Sequence, residues 1–544
     1  MSEAEAHLRN VLRHDPDNAI ALHDLGILAF RDGRRSEALD LLHQALLLQP
    51  NHIDILKSYG QILRHAGKPT EALETFLHIL DLDPRDAGVW NAAGVCFQET
   101  GNSAKALEAY LRSLALRPDS AETLNNISVV LFHEGDTDAA IEHLHQALAL
   151  EPAYPDAFNN LAVTHRARLE YRESTEAFQK AFHLDPNNPE IAGGLGEILS
   201  LIYDEAAEST LRQAVALAPN DPEKHWNLGL ELLKRGKYLE GWREYEWRWK
   251  RGKGHNPLRP FTQPFWRGEP GQDIRGATIL LHAEQGFGDT LQMLRYVPLV
   301  LAHGARIVLE VPQPLQPLVA AYSATMAGEV TVIAAGDPLP TFDWHTALLS
   351  LPLACGSTLE TIPPPIRLTP ARQRSATSDR RRLRIGLAWA GNPAHPRDRE
   401  RSLTLDLLKP LFDVPGCSWV SLQTGTATQQ IQPSSLPLER VGLHNFADTA
   451  AVLDTLDLVI SVDSAVAHLA ATQGIPTWIL LPFVADWRWL LPPKPDESPI
   501  ANPWYPEARL FRQAIFPTIS DAQTRWSPIV TAVRNALREL VAAR

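Results

Sequence analysis

Read for its apolar and polar positions, the chain falls into two halves with different periods. Up to about residue 250, small and apolar residues recur at helical spacing inside a longer repeat of 34 residues. Gly26, Gly60 and Gly94 stand 34 apart, and Ser128 and Ala162 continue that series. Ala38, Ala72, Ala106 and Ala140 form a second series, with Ser174 next. Pro16, Pro50, Pro84, Pro118, Pro152 and Pro186 form a third, and Pro219 then comes 33 residues on. Three series holding one phase predict stacked helix pairs. The glycine and alanine positions let the two helices of a pair approach closely. The proline ends the second helix and sets the turn to the next pair. Leu42, Phe76, Tyr110, Leu144 and Phe178 are placed to fill the core between them.

This pattern resembles the tetratricopeptide repeat over about residues 1–250. The resemblance implies an α-solenoid with a concave face. Ala4, Leu8, Val11 and Pro16 match only the second helix of a unit, so the chain starts inside a repeat. Asn91, Asn125, Asn126, Asn159 and Asn160 recur on first helices. They read equally well as a grip on the backbone of an extended peptide or as plain solvated surface. Trp242, Trp247 and Trp249 crowd the last unit, more aromatic surface than an exposed helix carries. That segment reads as a joint docking the array on the second half of the chain. A sugar-stacking platform is the weaker alternative, because the segment precedes any catalytic element.

Residues 251–274 form a linker rich in Gly, Pro and polar residues, with Trp266 as an anchor. Beyond it the pattern changes to short apolar runs alternating with helical segments. Thr278 to His282, Arg306 to Val311 and Val330 to Ile333 read as strands of one domain, 275–375, with a helix from Leu291 to Leu301. Arg384 to Trp389, Trp419 to Leu422, Leu458 to Ser461 and Thr477 to Leu481 read as strands of a second, 376–544, closed by an amphipathic helix from Trp526 to Leu540. Strand–helix alternation of this kind predicts parallel, doubly wound sheets, whose ligands bind beyond the strand carboxyl ends.

Composition narrows the partners. The 544 residues carry a formal charge of −13, which argues against nucleic acid or an anionic membrane as main partner. Arg380, Arg381, Arg382 and Arg384 form a local basic stretch, read as a solvated edge. Three scattered cysteines, Cys96, Cys355 and Cys417, give neither metal spacing nor a disulfide framework. The N-terminus shows no secretory signal pattern and no apolar run reaches the ~20 residues of a membrane span, so a cytoplasmic protein is expected.

The distinctive motifs fall at strand ends. Gly286-Phe287-Gly288-Asp289 follows the first strand of the first domain, where glycines let the backbone turn and approach a ligand. Asp289 reads either as a helix cap or as a base taking a proton from an acceptor hydroxyl, with Glu284 on the same loop as the runner-up. Leu291 stands where a dinucleotide fingerprint needs its third glycine. In the second domain, Asn392 follows the first strand, Arg401 can pair with a diphosphate, and Gln423 can bond a base or ribose. Asp463, Ser464 and Ala465 run from an apolar strand into a small-residue helix carrying His468, and its N-terminus suits a phosphate.

Residues 277–525 resemble the heptosyltransferase-like (family 9-like) glycosyltransferases of the GT-B fold. The resemblance rests on Gly288-Asp289 and on Asp463-Ser464-Ala465 with His468 to Ala471. It implies two Rossmann-like domains, a nucleotide-sugar donor as substrate, no cofactor and no catalytic metal. It also implies donor contacts from the second motif and a base at Asp289. Arg401 stands where the family commonly has lysine. Repeats followed by a GT-B half resemble the tetratricopeptide-repeat protein glycosyltransferases, including O-linked N-acetylglucosamine transferase and, closer here, bacterial enzymes that glycosylate flagellin. That implies an acceptor protein held by the repeats, and leaves a homodimer open. A scaffold with a weak GT-B half, or a heptosyltransferase of surface polysaccharide synthesis, are the alternatives.

Overall fold

The computed structural model describes residues 3–252, 258–369, 382–493, 501–514 and 522–544. The expected boundary between residues 375 and 376 lies outside the described residues, as do Arg380 and Arg381 of the basic stretch and residues 253–257 of the linker. The chain divides into two compact units, Met1–Asn187 and Asn188–Arg544. The second therefore begins well before residue 250 and takes in the last repeat helices.

The first unit is a run of antiparallel helix pairs, from Glu3–His14 to Tyr171–Leu184. The small-residue series explains its packing. A Cβ on Gly60 would stand 2.7 Å from the Phe76 ring, and one on Gly94 would stand 2.5 Å from Tyr110. Each bulky residue thus covers the glycine of its own repeat, and Leu42, Phe76 and Tyr110 are fully buried. Asn18, Asp86, Asn102, Ser120 and Asp136 cap helices by accepting from backbone N–H groups. The turn within each pair takes a left-handed residue at Gly33, Gly67, Gly101 and Gly135. This fourth 34-residue series continues at Leu169 and Tyr203, non-glycine residues with φ of 64° and 61°.

The second unit opens with helices Pro189–Leu201, Ala207–Leu217, Pro222–Lys234 and Tyr238–Tyr245, then a single turn, Glu246–Lys250. Two parallel sheets come next. The first holds β1 (Thr278–His282), β2 (Arg306–Val311), β3 (Val330–Ala334) and β4 (Trp344–Ala347), in the order β3-β2-β1-β4. The second holds β5 (Leu383–Ala388), β6 (Cys417–Ser421), β7 (Leu438–Arg440), β8 (Leu458–Val462), β9 (Thr477–Leu481) and β10 (Ala508–Arg512), in the order β10-β9-β8-β5-β6-β7. The fold class expected from the sequence, a repeat solenoid followed by α/β structure, is the one observed. The expected helix from Leu291 to Leu301 is broken into Phe287–Met293 and Val297–Ala302 by a tight turn. Pro298, lacking an N–H, can sit only in the first turn of the second piece.

The linker residue Trp266 is 1% exposed and donates its backbone N–H to His345 O on β4. One apolar core joins the first sheet, the facing side of the second sheet, and Tyr238, Trp242 and Tyr245 of the last repeat helix. A second core lies under the C-terminal helix Ala522–Ala542. Trp242 meets Trp487 edge-to-face at 5.1 Å, and Trp504 Nε1 donates to Tyr238 Oη at 2.8 Å. The aromatic segment is the docking joint, because its rings are spent on packing.

Candidate functional site

The two strand-end motifs converge. Helix Phe287–Met293 follows β1, and helix Ala465–Thr472 follows β8. They meet at Gly288, where a Cβ would come within 2.6 Å of His468 Cδ2. Gly288 is thus glycine so that the two helices can cross closely, and the expected ligand approach is not what demands it. Gly286 is the N-cap of the first helix, and its N–H donates to Asp289 Oδ2 at 2.9 Å. Asp289 therefore does cap the helix. Its other oxygen accepts from Arg488 Nη2.

Arg488 ties the halves together. It is buried, pairs also with Asp486 at 2.7 Å, and donates to Gln292. Burial opposes its charge, but Asp289 and Asp486 outweigh that and hold it protonated. Next to it, Trp489 Nε1 donates to Asp463 Oδ2 at 2.9 Å. His468 Nε2 stands 3.7 Å from Asp463 Oδ1, and its Nδ1 lies 3.0 Å from Tyr505 Oη. Burial pushes Asp463 up to about 6, with Asp486 adding to the effect, while Trp489, Arg401 and Arg488 act the other way. Burial holds His468 well below its ordinary value, so it is a neutral, packed ring.

Ser464 is the N-cap residue of its helix, but its Oγ lies 3.0 Å from Ser461 Oγ and makes no capping bond. Ser464 and Ala465 are half-buried at that helix start. Arg401 donates to Asp398 Oδ1 at 3.1 Å and lies across the loop after β5, with Nη2 2.7 Å from where a Gly391 Cβ would stand. Asn392 is exposed, and its Oδ1 accepts from Ala394 N at 3.0 Å.

Gln423 is a correction. Its Oε1 accepts from Trp389 N and Ala390 N, and its Nε2 donates to Ala390 O and Thr424 O. The whole amide is consumed in tying β5 to β6, so none of it is left for a base or ribose.

Glu284 is drawn towards the repeats. Arg248 Nη2, from the turn after the last repeat helix, donates to Glu284 Oε1 at 3.2 Å and to Ser350 Oγ at 2.7 Å. Gln285 Nε2 donates to Tyr245 Oη at 2.9 Å. Burial pushes Glu284 up to about 7; Arg248 opposes this and the Asp289 charge adds to it. His282 is buried beside His345, 3.5 Å away, and burial lowers it to about 3.

Several residues here were not singled out from the sequence: Arg488, Asp486, Trp489, Tyr505 and Arg248. The signal was present in Trp487-Arg488-Trp489, an arginine inside an aromatic run soon after a buried strand. Such an arginine must be paired to be buried. Among the described residues, no group of three His, Cys, Asp or Glu side chains is placed to hold a metal, and no helix is long and apolar enough to cross a membrane.

Residues 427–480 match the glycosyltransferase family 9 (heptosyltransferase) family. The matched segment runs from the loop before β7 to β9 and includes Asp463, Ser464 and His468. Glu284, Asp289, Arg401 and Arg488 lie outside it. Residues 1–62, 85–153 and 130–189 match tetratricopeptide repeat families, so the family 9 match follows a repeat array. Protein FlbA of Caulobacter vibrioides is 25% identical over 387 residues, covering 64% of this chain and 60% of FlbA. The chain thus spans less than two thirds of that relative's length. The APC/C hetero-tetramer Cut9-Hcn1 shares 20% identity at a TM-score of 0.38, over 41% of this chain and 45% of that one. YrrB, described as a TPR protein with an unusual peptide-binding site, shares 19% identity at a TM-score of 0.28, over 34% of this chain and 95% of that one.

Proposed function

We propose that this glycosyltransferase is a cytoplasmic protein O-glycosyltransferase, moving a sugar from a nucleotide-sugar donor to a Ser or Thr of a protein held by the repeats. Flagellin is the acceptor we would test first. The observation that carries the reading is the reach of the last repeat into the catalytic loop, through Tyr245 to Gln285 and Arg248 to Glu284. The last repeat thus supports the loop that bears the candidate base.

In this reading the two sheets form a GT-B pair. The donor lies on the second, with its phosphates at the start of helix Ala465–Thr472, where no side chain caps the backbone, and beside Arg401. The acceptor oxygen attacks the anomeric carbon as the bond to the diphosphate oxygen breaks. The nucleoside diphosphate leaves with the electron pair, and configuration inverts. The hydroxyl proton passes to Asp289, whose side chain is 21% exposed against 7% for Glu284. Geometry thus favours Asp289 as the base. Both of its oxygens are engaged at rest, so one contact, to Gly286 N or to Arg488, must open during turnover. No divalent metal enters the mechanism, and transfer should persist in EDTA.

The test is a thermal-shift panel of nucleotide sugars on the whole chain, since a donor that binds only the folded state raises its melting temperature. The stabilising donor is then incubated with flagellin and the intact mass read. A shift with one donor and a mass gain of one sugar support the reading. Donor binding without any protein acceptor, or no donor binding at all, argues for the scaffold alternative.

A further inference from the structure

The first unit holds a polar pocket of about 150 Å³ between neighbouring repeats. It is lined from helices Ile53–His65, Ala87–Glu99 and Ala121–His133 and from the end of Ser103–Leu116. Most of its polar side chains are already satisfied. Asn91 Nδ2 donates to Glu122 Oε1 at 3.0 Å, and Asn91 Oδ1 accepts from Asn126 Nδ2 at 3.1 Å. Ser113 Oγ donates to Ala87 O at 2.8 Å, and Thr123 Oγ1 lies 2.9 Å from Ser120 Oγ.

Two guanidiniums differ. Arg64 is half-buried and Arg117 exposed, both line the pocket, and neither has a hydrogen bond or ion pair among the described residues. Arg117 Nη2 lies 3.6 Å from where a Gly88 Cβ would be, so no side chain on that helix turn screens it. The unfilled capacity of the pocket is therefore donor capacity, and what it lacks is an acceptor with negative charge.

We propose that this pocket is a subsite for one Asp or Glu side chain of an extended peptide lying along the repeats. The charge count favours a single carboxylate. Arg64 and Arg117 supply two positive charges and Glu122 one negative, leaving one to be neutralised. A phosphate dianion would overfill that balance and press against Glu122. The asparagine pairs Asn91 with Asn126, at the pocket, and Asn125 with Asn160, one repeat further on, continue a polar track along successive first helices that a peptide backbone can follow. This rests on the reading of the repeats as the acceptor-holding part and gives that acceptor a chemical signature: an acidic residue at fixed register.

The experiment is selection of a displayed random-peptide library on the whole chain. One selected peptide is then titrated against the wild type and against Arg64→Gln and Arg117→Gln. Selected peptides should share an Asp or Glu at one position. Changing it to the amide should weaken binding by about tenfold, as should either arginine variant, and the losses should not add when combined. Unchanged melting temperatures and unchanged donor binding in both variants keep this result separate from failure of the glycosyltransferase reading. Binders without an acidic preference, an acidic preference that survives both substitutions, or no binders at all would overturn the proposal.

Discussion

The repeats of Met1–Asn187 and the helix pairs that open Asn188–Arg544 share a near-identical period but bury different things. In the first group the series positions Ala38, Leu42, Ala72, Phe76, Ala106 and Tyr110 are all fully buried, and the polar residues buried with them are neutral except Glu5, which Arg9 and Arg34 meet. In the second, Lys224, Glu231, Lys234 and Arg248 are each under 10% exposed. Every one of these charges is met: Lys224 by Glu190, Lys234 by Ser200 and Glu231, Arg248 by Glu246 and Glu284. Apolar stacking holds neighbouring repeats together and tolerates small slips. Buried, paired charges fix one geometry, because any slip strands an ion away from water. The last repeats are thus structural parts of the second unit, while the earlier ones stack mainly through apolar contact.

The largest effect should appear where the terminal region meets the chemistry. Asp289→Asn keeps the capping oxygen and removes the basic carboxylate. It should lower turnover by about 10²–10⁴-fold with donor affinity near wild type, and it should lower the melting temperature because buried Arg488 keeps only one of its two carboxylates. Steady-state kinetics and calorimetry decide. If turnover stays near normal and Glu284→Gln abolishes it, the base is Glu284.

A pair of aromatic truncations sharpens the comparison. Trp242→Ala and Phe76→Ala each delete a fully buried ring, and each should cost about 3–5 kcal/mol by denaturant titration. Only Trp242→Ala should also depress donor hydrolysis, because Trp242 packs on Trp487 beside Arg488. Equal loss of hydrolysis in both variants would erase the distinction.

The pH dependence comes from Glu284. Its folded value is pushed from an ordinary 4.5 to about 7, so the folded state holds a proton that the unfolded state has released. Its contribution to stability is full at acid pH and is lost as pH rises through that window. Glu284→Gln removes this loss. Relative to wild type, the variant should gain on the order of 2 kcal/mol between about pH 5 and pH 8, read as melting curves across pH. A difference that is flat with pH would place the proton elsewhere.

The repeats were the most legible part of the sequence. Period, small-residue positions and bulky partners are local, one-dimensional signals, and the Gly60–Phe76 and Gly94–Tyr110 contacts arise directly from them. The strands of apolar composition were equally plain. Those missed were β4, where His345 and Thr346 break the apolar run, β7, only three residues long, and β10, an edge strand that carries Arg509 and Arg512. At the candidate site, the motifs at Asp289 and Asp463 were readable because glycine and small residues mark strand-to-helix turns. Their bridge was not, since Arg488 meets Asp289 across 199 residues of chain and no local pattern carries that contact. Gln423 failed for the same reason: only the fold shows that its amide is spent on backbone.

The smallest effect concerns the left-handed turn. Leu169→Gly should stabilise by about 1 kcal/mol, because Leu169 holds φ at 64° with a side chain that disfavours it. Tyr203→Gly relieves the same strain but loses the bonds of Tyr203 Oη to Phe483 O and Ala485 N, and should be net destabilising. Thermal melts of the two variants, moving in opposite directions, would show again that one repeat position serves packing and the other the joint.

In the proposed function the catalytic unit starts at Asn188, and the repeats before it choose the protein acceptor. Residues 188–544 should therefore be compared with the whole chain in two assays on one preparation: hydrolysis of the stabilising donor, and transfer to flagellin read by intact mass. Donor hydrolysis is expected at the whole-chain rate, with protein transfer lost. Full transfer by residues 188–544, or a folded 188–544 that no longer turns over donor, would contradict it.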